Sequence, residues 1–378
     1  MRVYVLGAGT SKPDGVPVTS EVVDRAFRNV GEKIKENTFR MGHWSEQEGK
    51  SIRRVLELMD LLYKKGLVAK FDRYDGTIYR PYSLGVTTDM LEDFFTKLHY
   101  MERGEMVGIT LSQEELRKIT KDARFLYFGT LCDAMRSCWL NFKYYPIFVE
   151  KALRREGNHC IISFNYDLLL EHALIDMDKY LKYDGKQWRY PDDLKWRYGV
   201  KFKGFYYSEP YQFPEKKDAK IHYFKLHGSF NFGYCPESKE VSVYESIRAA
   251  GNLYQEFDAG RLHCCGGTHT SAPLLIPPLK KKDIEIPALR ESWEEVSEFL
   301  SQATELHILG YSLPKVDEEA KRLLQRIPSS GLKKVIIANP NREHIQKLVN
   351  ILELSRKSVK IYKGFEDYVT HELGAESN

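Results

Sequence analysis

One pattern constrains this chain more than any single residue: a short apolar run that stops abruptly at a small or polar cluster. Val3-Tyr4-Val5-Leu6 runs into Gly7-Ala8-Gly9, and Ile161-Ile162 into Ser163-Phe164-Asn165-Tyr166-Asp167. Ile221 to Leu226 ends in His227-Gly228-Ser229, Leu306 to Leu309 in Gly310-Tyr311-Ser312, and Lys334 to Ala338 in Asn339-Pro340-Asn341. Runs of this length, bounded by turn residues, read as buried strands. Helix-like stretches separate them, starting near Thr19 and then over Leu168–Leu174, Ala288–Ala303, Asp317–Ile327 and from Asn341 to about Leu354, with Val359–Tyr362 as a last strand. Strands alternating with helices predict an α/β fold, a Rossmann-like, mostly parallel sheet with helices on both faces. The carboxyl ends of such strands share one rim, where open α/β sheets bind their ligands. Five small or polar clusters on one rim are what a nucleotide crevice needs.

With 378 residues the chain has ample length for a hydrophobic core, and 42% apolar with 13% aromatic residues excludes global disorder. A net charge of +4, from 57 basic and 53 acidic residues, argues against a dedicated nucleic-acid binder. No apolar run reaches membrane-spanning length. The start, Met1 to Gly7, reads as a first strand rather than a targeting peptide. Six scattered cysteines and no export signal point to free thiols in a reducing cytoplasm.

Between the first two strands the pattern turns helical. Ile52, Val55, Leu56, Met59, Leu62 and Tyr63 recur at helical spacing, and so do Met90, Leu91, Phe94, Phe95 and Leu98. Phe125, Phe128, Leu131, Met135 and Phe142 mark a third stretch, and Gly66 and Arg73-Tyr74-Asp75-Gly76 punctuate the series. We therefore expect residues 1–40 and 151–378 to form the nucleotide-binding core, residues 41–150 a helical insertion, and residues 176–220 a small aromatic-rich insertion within the core. In the last of these, Trp188-Arg189-Tyr190 and Lys195-Trp196-Arg197-Tyr198 interleave aromatics with bases, which could stack on nucleotides. Asp184, Asp192, Asp193 and Glu209 are mixed among them and favour a β insertion instead.

The clusters carry usable chemistry. Gly7-Ala8-Gly9-Thr10-Ser11, between a strand and a helix, has the layout that offers backbone amides to a phosphate; lacking the GxGxxG form, it reads equally as a tight structural turn. Asn165 has both a donor and an acceptor for a ribose hydroxyl or a water. Asp167 can stabilise growing positive charge, cap the following helix, or both. His227 can take a proton at neutral pH, although a histidine after a strand is also often a satisfied rim residue.

Taken in order, these pieces have a recognisable spelling. Gly7-Ala8-Gly9-Thr10-Ser11 with Gly15-Val16-Pro17, Ser163-Phe164-Asn165-Tyr166-Asp167, Leu226-His227-Gly228-Ser229, Gly310-Tyr311-Ser312-Leu313 and Ile336-Ile337-Ala338-Asn339 span nearly the whole chain. Together they resemble the sirtuin-like, NAD-consuming family, in its bacterial branch of NAD hydrolases linked to defence against bacteriophage. The resemblance implies that Gly7, Ala8, Gly9, Thr10 and Ser11, with Pro17 in the same motif, hold the dinucleotide phosphates and approach the nicotinamide ribose. It implies that Asn165 and Asp167 border that ribose and the nicotinamide pocket, and that His227, followed by Gly228, is the base. Gly310, Ser312 and Asn339 would then surround the adenosine half.

Two departures matter. Deacylating sirtuins carry two Cys-x-x-Cys pairs for zinc after the histidine. Here that interval holds Cys235 and the adjacent Cys264-Cys265, with His263 and His269 nearby. Adjacent cysteines do not reproduce the paired knuckle, so no metal is expected. Gly15-Val16-Pro17-Val18-Thr19-Ser20 also lacks the Phe-Arg of the family's corresponding stretch, which weakens an acyl-lysine reading.

The ribose–nicotinamide bond is already activated, because the leaving group departs neutral from a cationic nitrogen; an enzyme need only hold the ribose and admit a nucleophile. The resemblance therefore implies, first, hydrolysis of NAD to nicotinamide and ADP-ribose as a defence effector. An NAD-dependent protein deacylase ranks second, and a non-catalytic sensor of NAD or an ADP-ribose derivative stands as a different class. A free hydrolase of this kind would be toxic, so a homo-oligomer or a regulatory partner is expected to act through the helical insertion.

Overall fold

The computed structural model describes residues 1–26, 46–72, 84–106, 111–138, 142–175, 182–183, 186–187, 194–202, 204–206, 213–244, 260, 263–264, 269–277, 286–314, 317–328, 331–354 and 358–374. Two compact units divide the chain: Met1–Val16, Met135–Ile276 and Lys282–Asn378 form the first, and Pro17–Ala134 with Pro277–Lys281 the second. Trp188-Arg189-Tyr190, Asp184, Asp192, Asp193, Glu209, the Arg73–Gly76 turn and Cys265 lie outside the described residues.

The first unit holds the strands β1 (Arg2–Leu6), β2 (His159–Ser163), β3 (Trp196–Tyr198), β4 (Gly204–Tyr206), β5 (Ile221–Lys225), β6 (Gly228–Tyr234), β7 (Val241–Tyr244), β8 (Ala272–Leu275), β9 (Glu305–Leu309), β10 (Lys334–Ala338) and β11 (Val359–Tyr362). Seven of them make a parallel sheet in the order β11-β10-β9-β1-β2-β5-β3. From β1 the chain works outward to β2 and β5, then crosses back to β9 on the other side and works outward again. Apart from the short edge strand β3, this is the doubly wound Rossmann order, with its switch point between β1 and β9. The register puts Leu6 opposite both Ser163 and Leu309, Ser163 opposite Lys225, and Leu309 opposite Ala338. All five polar clusters therefore begin on the same rim, as the sequence pattern predicts.

Both faces of this sheet are covered, which is why its strands lack the alternation of a half-exposed sheet. On one face Val3, Val5, Ile162, Phe224, Ile308 and Ile337 pack with Val296, Phe299 and Leu300 of α8 (Pro287–Ser301), Ala320, Leu323 and Leu324 of α9 (Glu318–Leu324), and Ile345, Leu348 and Val349 of α10 (Arg342–Ile351). On the other, Tyr4 meets Phe148 of α6 (Tyr144–Phe148) edge-on at 5.2 Å, and Phe148 meets Phe365 at 5.7 Å. After β2 the chain enters α7 (Leu169–Ile175), every residue of which is buried.

A second sheet, ordered β8-β6-β7-β4, departs from the sequence reading. The sequence pattern marks no strand directly after His227, yet the chain re-enters one at once, burying Phe230 and Phe232. Gly228 permits the reversal. Its φ is +84°, and a Cβ there would lie 2.0 Å from the Leu274 carbonyl oxygen of β8.

The second unit is helical, with α1 (Glu46–Tyr63), α2 (Leu67–Asp72), α3 (Thr88–Glu102) and α4 (Gln113–Arg124); α5 (Thr130–Cys138) runs across the boundary with the first unit. The helical periodicity marks its core, since Ile52, Val55, Leu56 and Met59 of α1 and Leu91, Phe94, Phe95 and Leu98 of α3 are buried. Asp60 accepts the amides of Leu67 and Val68 at 2.6 and 2.8 Å, capping α2, and Arg54 pairs with Asp122 at 2.6 Å to tie α1 to α4.

Candidate functional site

The turn after β1 is stitched to the turn after β9. Gly7 N–H donates to Leu309 O at 3.0 Å and Gly9 N–H to Gly310 O at 2.9 Å. A Cβ on Gly9 would meet the Gly310 Cα at 2.8 Å, and one on Gly310, whose φ is +61°, would meet the Thr10 nitrogen at 2.3 Å. Within the first turn Thr10 N–H donates to Gly7 O and Ser11 N–H to Ala8 O. Four of its amides are thus committed inside the protein, and the small residues at 7, 9 and 310 serve close approach of two backbones at the switch point.

Asn165 stands beside this turn. Its Nδ2 reaches Gly7 O at 3.1 Å, Thr10 Oγ1 at 3.0 Å, Ser11 Oγ at 3.3 Å and Tyr145 OH at 3.4 Å. The Gly7 carbonyl can only accept, so the orientation of the amide is fixed. Its other end, Oδ1, is buried with no donor among the described residues. Such an orphaned acceptor costs free energy unless a ligand or water supplies the proton. Ser11 Oγ donates to Asp167 Oδ2 at 2.7 Å, and Asp167 Oδ1 accepts the Leu169 amide at 3.2 Å, so the carboxylate both serves the start of α7 and joins the turn. Burial pushes the Asp167 carboxyl above its ordinary range, while the Lys225 ammonium and the Ser11 hydroxyl pull it back.

Asp14, in the same unit, accepts the Lys143 and Tyr144 amides at 2.6 and 3.2 Å through Oδ1. Its Oδ2 is buried with no donor among the described residues, and burial raises its pKa to about 6.

His227 follows β5 and sits in an aromatic cage next door. Phe164 lies 4.9 Å from its ring, with Tyr166 and Trp293 each at 6.4 Å, and Tyr311 stacks on Phe164 at 4.4 Å. Trp293 Nε1 donates to Leu226 O at 3.2 Å, which fixes the wall. His227 Nε2 is 3.5 Å from Asp317 Oδ2, a group that also accepts from Tyr311 OH at 2.8 Å. The rim thus brings Asn165, Asp167, Thr10 and Ser11 into one hydrogen-bonded network and sets His227 at the end of the neighbouring strand, its ring against Phe164.

The remaining predicted residues are more dispersed. Asn339 donates to Tyr311 O at 3.1 Å and accepts the Asn341 amide at 2.9 Å, so its side chain shapes the rim backbone. Ser312 is half-buried beside it. Pro17 opens the second unit. Missed by sequence reasoning were Tyr145, which hydrogen-bonds Thr10 at 2.7 Å, and Asp317, Trp293, Lys225 and Glu171. Only Lys225 had a legible signal, a charge inside an otherwise strand-like run. Cys132, Cys138, Cys160 and Cys235 are buried and form no disulfide. No group of three or more candidate metal ligands occurs among the described residues, a set that excludes Cys265. No described helix is long and apolar enough to cross a membrane.

A doubly wound parallel sheet with its polar clusters gathered at the switch point defines a Rossmann-like protein. No protein-family model matches this sequence, and no curated protein does. Solved structures of sirtuins match the chain at low similarity. A structure on sirtuin substrate affinity matches with 12% identity over 99% of this chain and 92% of that one, at a TM-score of 0.39. A Sir2–p53 peptide–NAD+ complex matches with 14% identity over 99% and 93%, also at 0.39, and a Sir2 homologue–NAD complex with 12% over 98% and 87%, at 0.38. At these scores the likeness carries no argument about chemistry, and the fold stands on its own strand order. The matches do correct one expectation. An NAD glycohydrolase was expected ahead of a deacylase, whereas two of the matched structures are a Sir2–p53 peptide–NAD+ complex and a Sir2 complex with 2'-O-acetyl-ADP-ribose and deacetylated p53 peptide. The glycohydrolase assignment is withdrawn.

Proposed function

We propose that the protein binds NAD at the β1/β9 switch point and uses it as co-substrate to remove an acyl group from a lysine side chain, the glycosidic bond breaking to release nicotinamide and the acyl group passing to a hydroxyl of the ADP-ribose. The observation that carries this reading is the orphaned Oδ1 of Asn165, buried beside the turn that follows β1. A ribose hydroxyl is a donor of the right kind to satisfy it. NAD, when bound, supplies a glycosidic bond with a good leaving group. Asp167, held by Ser11 and the Leu169 amide, supplies negative charge where the ribose would become positive. His227, with Asp317 beside it and apolar rings around it, takes a proton from a hydroxyl. The rings of Phe164 and Trp293 offer an apolar wall suited to an aliphatic acyl-lysine stem. A role in defence against bacteriophage, and control by self-association or a partner at the helical unit, belong to the same proposal.

Purified protein incubated with NAD, with and without an acetyl-lysine peptide, tests it. Nicotinamide and free-lysine peptide should appear together and only when peptide is present. Nicotinamide release at an equal rate without peptide, or binding of NAD with no turnover of either substrate, would overturn the deacylase reading.

A further inference from the structure

Directly beneath the Asn165–Asp167 turn lies an ion pair with no access to solvent. Lys225, the last residue of β5, and Glu171 of α7 have side chains that are 0% exposed, and Lys225 Nζ lies 2.8 Å from Glu171 Oε1. The ammonium also donates to the Asp167 carbonyl and lies 3.5 Å from that of Tyr166. Glu171 in turn accepts from Tyr198 OH at 3.1 Å and Tyr223 OH at 3.3 Å. The Tyr198 hydroxyl accepts from Asn231 Nδ2, so the network reaches from the turn into the second sheet.

A pair like this is a poor device for stability. Desolvating two charges costs several kcal/mol, and apolar residues of similar volume commonly do as well or better. What a buried ammonium supplies, and a leucine cannot, is donors aimed at backbone carbonyls. The carbonyls it reaches, those of Tyr166 and Asp167, lie within the turn that carries Asn165 and Asp167. Its own strand delivers His227 two residues later, so one side chain fixes the spacing between the two halves of the site.

We propose that the Lys225–Glu171 pair is a positioning brace, holding the Asn165–Asp167 turn at the reach of a bound NAD ribose and in register with His227. The inference rests on the functional reading above, because it takes Asn165 and Asp167 to face NAD. Both residues act through the turn and touch neither substrate.

The test compares the full chain with Lys225→Met/Glu171→Gln, which removes both charges yet leaves an acceptor for the two tyrosines. Amide hydrogen exchange over residues 163–168, the thermal midpoint, NAD affinity by calorimetry and steady-state kinetics are measured on each. The brace predicts exchange at least about tenfold faster in that segment with β1 and β9 unchanged, and a midpoint within about 5 °C of the parent. It also predicts kcat lowered at least about tenfold while KM for NAD moves less than about threefold. Unchanged exchange over 163–168 overturns the brace, as does an increase spread evenly over the sheet, which would make the pair a general stabiliser. If the double variant does not fold, Lys225→Leu/Glu171→Gln, which likewise leaves no unpaired buried charge, must show the same local increase, and its absence overturns the brace. A parent protein that fails to bind NAD sinks the functional reading, whereas a parent that binds NAD beside a variant with an unaltered turn sinks the brace.

Discussion

At the scale of single residues, the site turns on an amide with one end tied and the other unmet. Asn165→Ala removes an amide that spans Gly7, Thr10 and Ser11 while presenting a spare acceptor. We expect turnover to fall at least about 100-fold with the circular dichroism spectrum unchanged, and the same for His227→Ala. A rate within a few-fold of the parent for either variant removes that residue from the mechanism. Gly310→Ala should fail differently: its φ of +61° and the 2.3 Å approach to Thr10 nitrogen predict a loss of at least about 2 kcal/mol in urea unfolding. Asn165, Asp167 and Ser11 were legible in the sequence because each is a polar residue where an apolar run ends. Asp317 and Trp293 were not, since each belongs to a helical segment far along the chain and only the fold brings it to His227.

At the scale of elements, the sheet was the legible part. The strand over Lys334–Ala338 and that over Val359–Tyr362 fall where the apolar runs place them. β6 was missed because its run, Gly228–Tyr234, interleaves Ser229, Asn231 and Gly233 with aromatics, and Ser229 and Asn231 bury their polarity by bonding each other at 2.7 Å. Local chemistry nevertheless dictates some boundaries outright. Ser112 caps α4 by accepting the Glu115 amide at 3.2 Å while Glu115 accepts the Ser112 amide at 2.8 Å. Ser112→Ala should cost about 1 kcal/mol in chemical denaturation without altering NAD binding. An unchanged midpoint would mean that packing alone sets where this helix begins.

At the scale of the whole molecule, buried titratable groups shape the response to pH. Burial lowers His159 and His222 to about 4, so the unfolded chain binds protons that the folded one refuses between about 4 and the ordinary imidazole value near 6.5. Their contribution is intact above that window and is lost as pH falls through it. Asp14, raised to about 6, has the opposite sign: its contribution is intact below about 4 and is lost as pH rises toward 6 and beyond. Burial lowers His307 and His344 too and raises Asp167 alongside Asp14, so four histidines oppose two carboxylates and net stability should decline on acidification from pH 6.5 to 4. His159→Gln should flatten the decline, and Asp14→Asn should steepen it; guanidinium titrations at several pH values would expose an error of sign in either. The backbone stitch between residues 9 and 310 carries a last consequence, for how such a chain is made. Of the strands in this sheet, the earliest in the chain becomes its middle, with one neighbour supplied by β9 some three hundred residues later. Until that neighbour arrives, β1 waits with an open edge, so nascent chains halted short of residue 305 should be the ones that chaperones hold and that aggregate when released.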